Sequence, residues 1–299
     1  MTVKISSIPF HKASIGDEEI NEVVDTLKSG WLTMGPKTIN FEKQFAKAIG
    51  VDFAVSMNSA TACLHLALKA VGLNAGDEVI IPTTTFASTA EVVTYFNATP
   101  VLCDIRGDDH NIDVSKIEAL ITEKTKVIIP VHFSGIPCDM DAIMEIAEQY
   151  GLFVLEDVAQ AFGAEWMGKK LGSCGTIGAF SFYPTKNLGG FGDGGLVATH
   201  DDRLAELVRM LLGHGGKDKY NVEHIGYNSR LDVIQASVLQ VKLRYVDEFN
   251  LKRRTIAEIY NRGLQDLTHI KLPLSFDSYQ HIYHQYTIRV AGGAELNCG

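Results

Sequence analysis

The sequence predicts an α/β fold, a mostly parallel sheet flanked by helices. Short runs that are apolar throughout recur along the chain, at Phe53-Ala54-Val55, Val79-Ile80-Ile81, Pro100-Val101-Leu102, Val127-Ile128-Ile129 and Leu152-Phe153-Val154-Leu155. Longer helix-like runs lie between them, near 60–71, 86–96, 115–122 and 139–149. A strand with no polar alternation is buried on both faces, which marks a parallel sheet covered by helices. The 299 residues are also 46% apolar, enough to enclose a large core.

Two helices precede the alternating region. Residues 17–29 place Ile20, Val23, Val24 and Leu27 on one face, and Gly30 is the stop. Gly35-Pro36 opens a second helix with Phe41 and Phe45 on its inner face. Further on, 176–199 reads strand, loop, strand, 201–212 reads helix, and one long helix is expected over roughly 232–262. The segment 283–290, YHQYTIRV, alternates like a strand. The expected division is a large α/β domain over 1–230, then a connecting helix and the start of a small domain over 231–299. The last nine residues, AGGAELNCG, have no clear period, and the small domain is expected to be incomplete.

Charge and composition exclude some partners. The net charge is −9 with no Lys/Arg run, which disfavours nucleic acid, because neutralising phosphates needs clustered cations. No stretch reaches the ~18–20 apolar residues of a membrane span. The N-terminus has no apolar h-region or small-residue cleavage signal. The five cysteines, Cys63, Cys103, Cys138, Cys174 and Cys298, form no CxxC clip and read as reduced thiols. A soluble, cytoplasmic protein is expected.

Chemistry concentrates at the ends of the predicted strands. In FSFYPTKNLGGFGDGG, residues 180–195, Lys186 sits in a short turn after an apolar strand. A lysine held this way loses its proton through desolvation and attacks carbonyls; the plain alternative is a solvated loop lysine. The glycines from Gly189 onward let the backbone pass close to something. Gly190 to Gly195 also satisfies GxGxxG, but strand-like LVATH follows where a dinucleotide site needs a helix. The strand at 152–155 runs into Glu156-Asp157, with Gln160 three residues later. A carboxylate beyond a strand end meets a ligand cation or caps the next turn. Ser59-Ala60-Thr61 joins a strand to a helix, a natural phosphate seat or a simple N-cap. Phe86, after Pro82-Thr-Thr-Thr, is a stacking plate or a core residue. His132 reads as a satisfied crevice histidine, and His281 and His284 lack the acidic neighbour a metal site needs. Lys217 and Lys219 form a local cationic loop, either a diphosphate contact or a solvated turn.

A phosphate seat, an aromatic plate, an acid and a lysine thus follow one another, each at a strand end. A phosphorylated pyridine aldehyde needs those four groups. At these residues the chain resembles the DegT/DnrJ/EryC1/StrS family of sugar aminotransferases, pyridoxal-phosphate enzymes of the aspartate aminotransferase fold (fold type I). The likeness runs through GWLTMGPKTINFEKQFA, NSATACLHLAL, GDEVIIPTTTF, IIPVHFSGIPCDMDAI, EDVAQAFGAE, FSFYPTKNLGGFGDGG and GYNSRLDVIQASVLQVKL, from about residue 10 to about 290.

The resemblance implies pyridoxal 5'-phosphate as cofactor, with Lys186 as its Schiff-base lysine and Asp157 holding the pyridine nitrogen. It places Gln160 beside the ring hydroxyl and Phe86 on the ring face. Ala60, Thr61 and Ser181 correspond to the phosphate clamp. Asn228 corresponds to a residue reaching the phosphate from a second subunit, so a homodimer is implied; Arg230 is matched less securely. The implied substrates are a nucleotide-linked keto-sugar and an amino-acid donor such as glutamate. Ala60 stands where many members have Gly, and members acting on 4-keto-sugars carry a similar SAT sequence. A sugar dehydratase on the same fold is an alternative, but those relatives replace the lysine by histidine. A cofactor-binding or regulatory protein without turnover is another.

Overall fold

The structure, a computed structural model, describes residues 9, 11–217, 220–274 and 279–290. Its N-terminal part is α1 (Asp17–Ser29) and α2 (Pro36–Ile49). Gly30 ends α1 in the left-handed region, at φ +71°, as its position in the sequence predicts. Pro36 starts α2 where its missing N–H costs nothing. Phe41 and Phe45 are fully buried, edge-on to Phe182 and Phe180.

The α/β body follows: β1 (Phe53–Met57), α3 (Ala60–Ala70), β2 (Glu78–Pro82), α4 (Ala87–Thr94), β3 (Thr99–Cys103), β4 (Thr125–Ile128), α5 (Met140–Tyr150) and β5 (Phe153–Asp157). After a small pair, β6 (Glu165–Trp166) and β7 (Lys169–Lys170), come β8 (Ile177–Ser181), β9 (Gly195–Thr199) and α6 (Asp202–Leu211). The seven long strands form one sheet in the order β1-β9-β8-β5-β4-β2-β3. It is parallel except at β9, which runs against both neighbours. Core clusters cover both faces of the sheet, which accounts for the uniformly apolar strands. Because β9 is reversed, its first residues lie at the same sheet edge as the last residues of β8 and β1. That edge carries the site.

Four expectations need correction. Residues 115–122 form two 3-10 turns, Val114–Lys116 and Glu118–Leu120, with Asp113 capping the first. The long helix is two helices, α7 (Val233–Leu243) and α8 (Val246–Leu264). The break lies where Arg244 and Tyr245 turn to Glu18 of α1, each at 2.8 Å. The segment 283–290 is a strand only at its end, with β10 (Ile270–Lys271) pairing β12 (Arg289–Val290) and β11 (Tyr279–Gln280) pairing β6. Tyr283, at φ +48°, lies outside the extended region. Finally, the apolar face of α1 is largely uncovered among the described residues: Ile20, Val24 and Leu27 are 49%, 41% and 52% exposed. The helix packs on α7 and buries Glu19 and Thr26 instead.

His281, between β11 and the end of the described chain, is buried, with Nδ1 2.8 Å from the Gly135 carbonyl oxygen. Burial pushes its pKa down to about 4. An unfolded histidine titrates near 6.5. Between those two values the unfolded chain binds more protons, so stability falls as pH drops from about 6.5 to about 4. His281→Phe, which keeps an aromatic ring against Tyr283, should make that decline shallower in urea unfolding followed across pH. An unaltered slope would contradict this account.

Candidate active site

A cavity of about 520 Å³ opens at the sheet edge where β1, β2, β5 and β8 end and β9 begins. Seven of the eight residues assigned from sequence line it: Ala60, Thr61, Phe86, Asp157, Gln160, Ser181 and Lys186. The eighth, Asn228, is exposed and not among the lining residues; its backbone bridges to Gly213. Ligands in open α/β sheets occupy this edge because helix N-termini and strand ends converge there.

Strand alternation separates the two carboxylates that end β5. Successive side chains point to opposite faces. Asp157 turns to the cavity, and Glu156 turns into the protein. Asp157 is only 5% exposed. Its Oδ1 accepts from the Ala159 N–H and its Oδ2 from the Thr89 hydroxyl, both at 3.1 Å. Thr85 in turn donates to the Thr89 oxygen at 2.8 Å. Among the described residues no cation lies in ion-pair contact with Asp157. Burial raises its pKa, against those hydrogen bonds and the charge of Lys186. A cationic N–H from a ligand would therefore be held strongly there.

Glu156 is fully buried and surrounded by donors. Its oxygens accept the backbone N–H groups of Gly172, Cys174 and Gly175 at 2.8, 2.8 and 2.6 Å. His132, also fully buried, completes the set at 3.1 Å. Because the Cys138 N–H points at Nδ1, the ring hydrogen is on Nε2 and is given to Glu156. His132 is thus a satisfied interior histidine. The sequence assigns Asp157 a role and Glu156 none; strand alternation puts the two on opposite faces, and the donors around Glu156 show which one is inward.

Lys186 sits in the turn after β8, its N–H bonded to the Tyr183 carbonyl oxygen at 2.8 Å. Burial lowers its pKa, and the charge of Asp157 opposes that shift. The glycines that follow are small because protein, not ligand, is close. A Cβ on Gly190 or Gly192 would come within 2.8 or 2.7 Å of the Gln235 side chain, which accepts the Phe191 N–H at 2.9 Å. A Cβ on Gly195 would lie 2.5 Å from the backbone of Ser59. The start of β9 is therefore pressed against the β1–α3 turn. Since Gly195 opens a strand, the GxGxxG match has no helix to serve.

At that turn Ser59 caps α3, its Oγ accepting from the Ala62 N–H at 3.1 Å. The cap leaves Ala60 and Thr61 facing the cavity. Phe86 is 74% exposed and lines the cavity, so it is a plate and not core. The Gln160 side-chain oxygen accepts the Ser134 N–H at 2.7 Å, which fixes its amide at the cavity wall. Lys217 lies 3.3 Å from Glu223, and Lys219 falls outside the described residues. Thr89, Tyr183 and Asp193 were not anticipated. Thr89 was legible only as a hydroxyl one turn into the helix after Phe86.

A buried acid and a desolvated lysine at one sheet edge, beside an exposed aromatic plate and a capped helix start, define an aminotransferase of the pyridoxal-phosphate fold type I. The chain belongs to the DegT/DnrJ/EryC1/StrS aminotransferase family, whose model matches residues 13–298. It is 40% identical to a Streptomyces venezuelae protein named dTDP-3-amino-3,4,6-trideoxy-alpha-D-glucose transaminase, over 97% of this chain and 78% of that one. Among solved structures it is similar to S. venezuelae DesV in complex with a ketimine intermediate, with a TM-score of 0.89, 42% identity, and coverage of 91% of this chain and 74% of that one. It is also similar to Bacillus subtilis NtdA with bound cofactor PMP, with a TM-score of 0.88, 33% identity, and coverage of 97% and 68%.

The Glu156 cluster yields a stability prediction. Glu156→Leu would strand three buried N–H groups and the His132 donor. Its expected cost is about 3–5 kcal/mol in urea unfolding, the range for breaking a buried charged network. A cost below about 1 kcal/mol would show that the cluster does not hold the β5 end.

Proposed function

We propose that the chain transfers an amino group from an amino acid, glutamate as the leading candidate, to a nucleotide-linked keto-hexose in amino-sugar biosynthesis. The observation that carries this reading is the placement of Lys186 and Asp157 in one cavity, each shifted toward its neutral form by burial. Pyridoxal 5'-phosphate fits the residues present: Asp157 would hold its pyridine nitrogen and Phe86 would face its ring. Ala60, Thr61 and Ser181 would receive its phosphate at the start of α3, where free N–H groups and the helix dipole favour an anion. When bound, the cofactor supplies an aldehyde for amines to attack and a ring that takes up the electron pair left when a Cα–H bond breaks.

The residues divide the remaining work. Burial leaves Lys186 with less of its proton, so the amine has a lone pair for the aldehyde carbon. With its amine free, Lys186 would take up or return the proton at the donor Cα. Asp157 would hold the ring nitrogen in its protonated form. Gln160 would orient the ring hydroxyl, and Phe86 would exclude water from one face. The nucleotide is inferred from the relative named for a dTDP-sugar, and Lys217 with Lys219 would approach its diphosphate.

A homodimer is part of the proposal. The uncovered apolar face of α1 and the position of Asn228 outside its own cavity both favour a second copy completing the site. No described helix is long and apolar enough to cross a membrane, and the proposed compartment is the cytoplasm.

Borohydride reduction of the protein loaded with pyridoxal phosphate should leave a pyridoxyl group on the Lys186 peptide, read by mass spectrometry; a tag elsewhere would sink the reading. Glutamate should then convert the bound cofactor to its amine form, and a keto-sugar nucleotide should restore it. Asp157→Ala, which removes one partner of a buried charge pair, should lower kcat/KM by at least about a hundredfold, corresponding to roughly 3 kcal/mol or more. Gln160→Ala, which removes one hydrogen bond worth about 0.5–1.5 kcal/mol, should cost about tenfold or less. Equal losses would count against the role given to Asp157. Lys217→Ala with Lys219→Ala should raise the KM for the sugar nucleotide and leave the glutamate half-reaction alone.

A further inference from the structure

Asn187 follows Lys186 and takes part in a chain of hydrogen bonds whose direction is set at its far end. That end is the carbonyl oxygen of Phe162, which can only accept. Asn250, on α8 and 2% exposed, donates Nδ2 to it at 3.1 Å. The other end of the Asn250 amide is then an acceptor, and Asn187 donates Nδ2 to it at 2.7 Å. The Asn187 oxygen is an acceptor in turn and lies 2.9 Å from Nδ1 of His284, so the ring hydrogen must be on Nδ1. Gly163 makes room for this: it sits at φ +90°, and a Cβ there would come within 2.5 Å of the Asn250 Nδ2. The His284 backbone is held independently, with Arg253 Nη1 at 3.2 Å from its carbonyl oxygen and 3.4 Å from that of Tyr283. Burial first, then the charges of Lys186 and Arg253, keep the ring's pKa down at about 3. The imidazole is therefore neutral near pH 7, and Nε2 carries a lone pair.

We infer that Asn250 is a positioning residue: acting through Asn187, the neighbour of Lys186 in the chain, it fixes His284 as an Nδ1–H imidazole whose Nε2 is left as a hydrogen-bond acceptor. The chain joins α8, the β5–β6 connection, the lysine turn and the segment before β12. A single carbonyl orientation is thereby transmitted across four pieces of backbone. The functional meaning rests on the reading of Lys186 as the amine that carries the cofactor. An acceptor nitrogen takes an N–H from a nearby amine and leaves the amine's lone pair for a carbonyl carbon. A donor nitrogen would occupy that lone pair.

The test is a long-range proton–nitrogen spectrum of the full-length protein with 15N-labelled histidine, with and without pyridoxal phosphate. The His284 signal is assigned by its loss in His284→Gln. The expected result is one Nδ1–H form that does not titrate between pH 6 and about 8, well above the ring's pKa of about 3. In Asn250→Asp the carboxyl still accepts from Asn187 and should preserve that tautomer. In Asn250→Leu the Asn187 amide is free to rotate, so the Nε2–H form should appear and kcat should fall by roughly threefold to tenfold, the worth of one neutral hydrogen bond. A role confined to packing would leave the tautomer the same in both variants. An Nε2–H ring in the unmodified protein, or an Asn250→Leu spectrum matching that of Asn250→Asp, would overturn the inference. If Asn250→Leu does not fold, Asn250→Ala, which also removes the acceptor for the Asn187 amide, is compared with Asn250→Asp in its place. The tautomer is read without cofactor, so a missing pyridoxyl tag on Lys186 would refute the amine's role separately.

Discussion

The end of β5 is the point on which the rest of the site depends. Two carboxylates stand side by side there, and the pleat sends them to opposite faces of the sheet. Glu156 gathers three backbone N–H groups and a histidine inside the protein. Asp157 is left facing the cavity with two weaker contacts and no ion-paired cation among the described residues. The inner carboxylate is saturated, and the outer one is available.

Around that point the sheet edge is assembled by close approach. β9 runs antiparallel to its neighbours, which brings its first residues beside the last residues of β1 and β8. Contact that close requires glycine at Gly195, where a Cβ would meet the Ser59 backbone, while Gly190 and Gly192 lie against the end of the Gln235 side chain. The lysine turn is thereby wedged between α7 and the helix start that would hold a phosphate. Burial then acts on both chemical groups in the same sense, lowering the Lys186 pKa and raising that of Asp157. The His284–Asn187–Asn250 chain adds a polar brace behind the lysine, built from neutral groups whose direction one carbonyl fixes.

The sequence by itself determined the sheet, its flanking helices and seven of the eight site residues that line the cavity. Strands buried on both faces have to be apolar throughout, so they announce themselves in one dimension. Strand ends are then visible too, and Lys186, Asp157 and Phe86 are found by standing just beyond them. Only the tertiary structure decided what depends on distant partners. The helix expected over 232–262 breaks at Arg244-Tyr245 with no Pro or Gly to mark it, at the point where both side chains meet Glu18, more than two hundred residues earlier. The segment from Tyr283 is turned out of strand geometry and held by Arg253. The glycines promised a close neighbour, and folding made it Gln235 and Ser59. Which of Glu156 and Asp157 faces inward is settled by the donors waiting on each side of the sheet, and those come from turns that no local pattern connects.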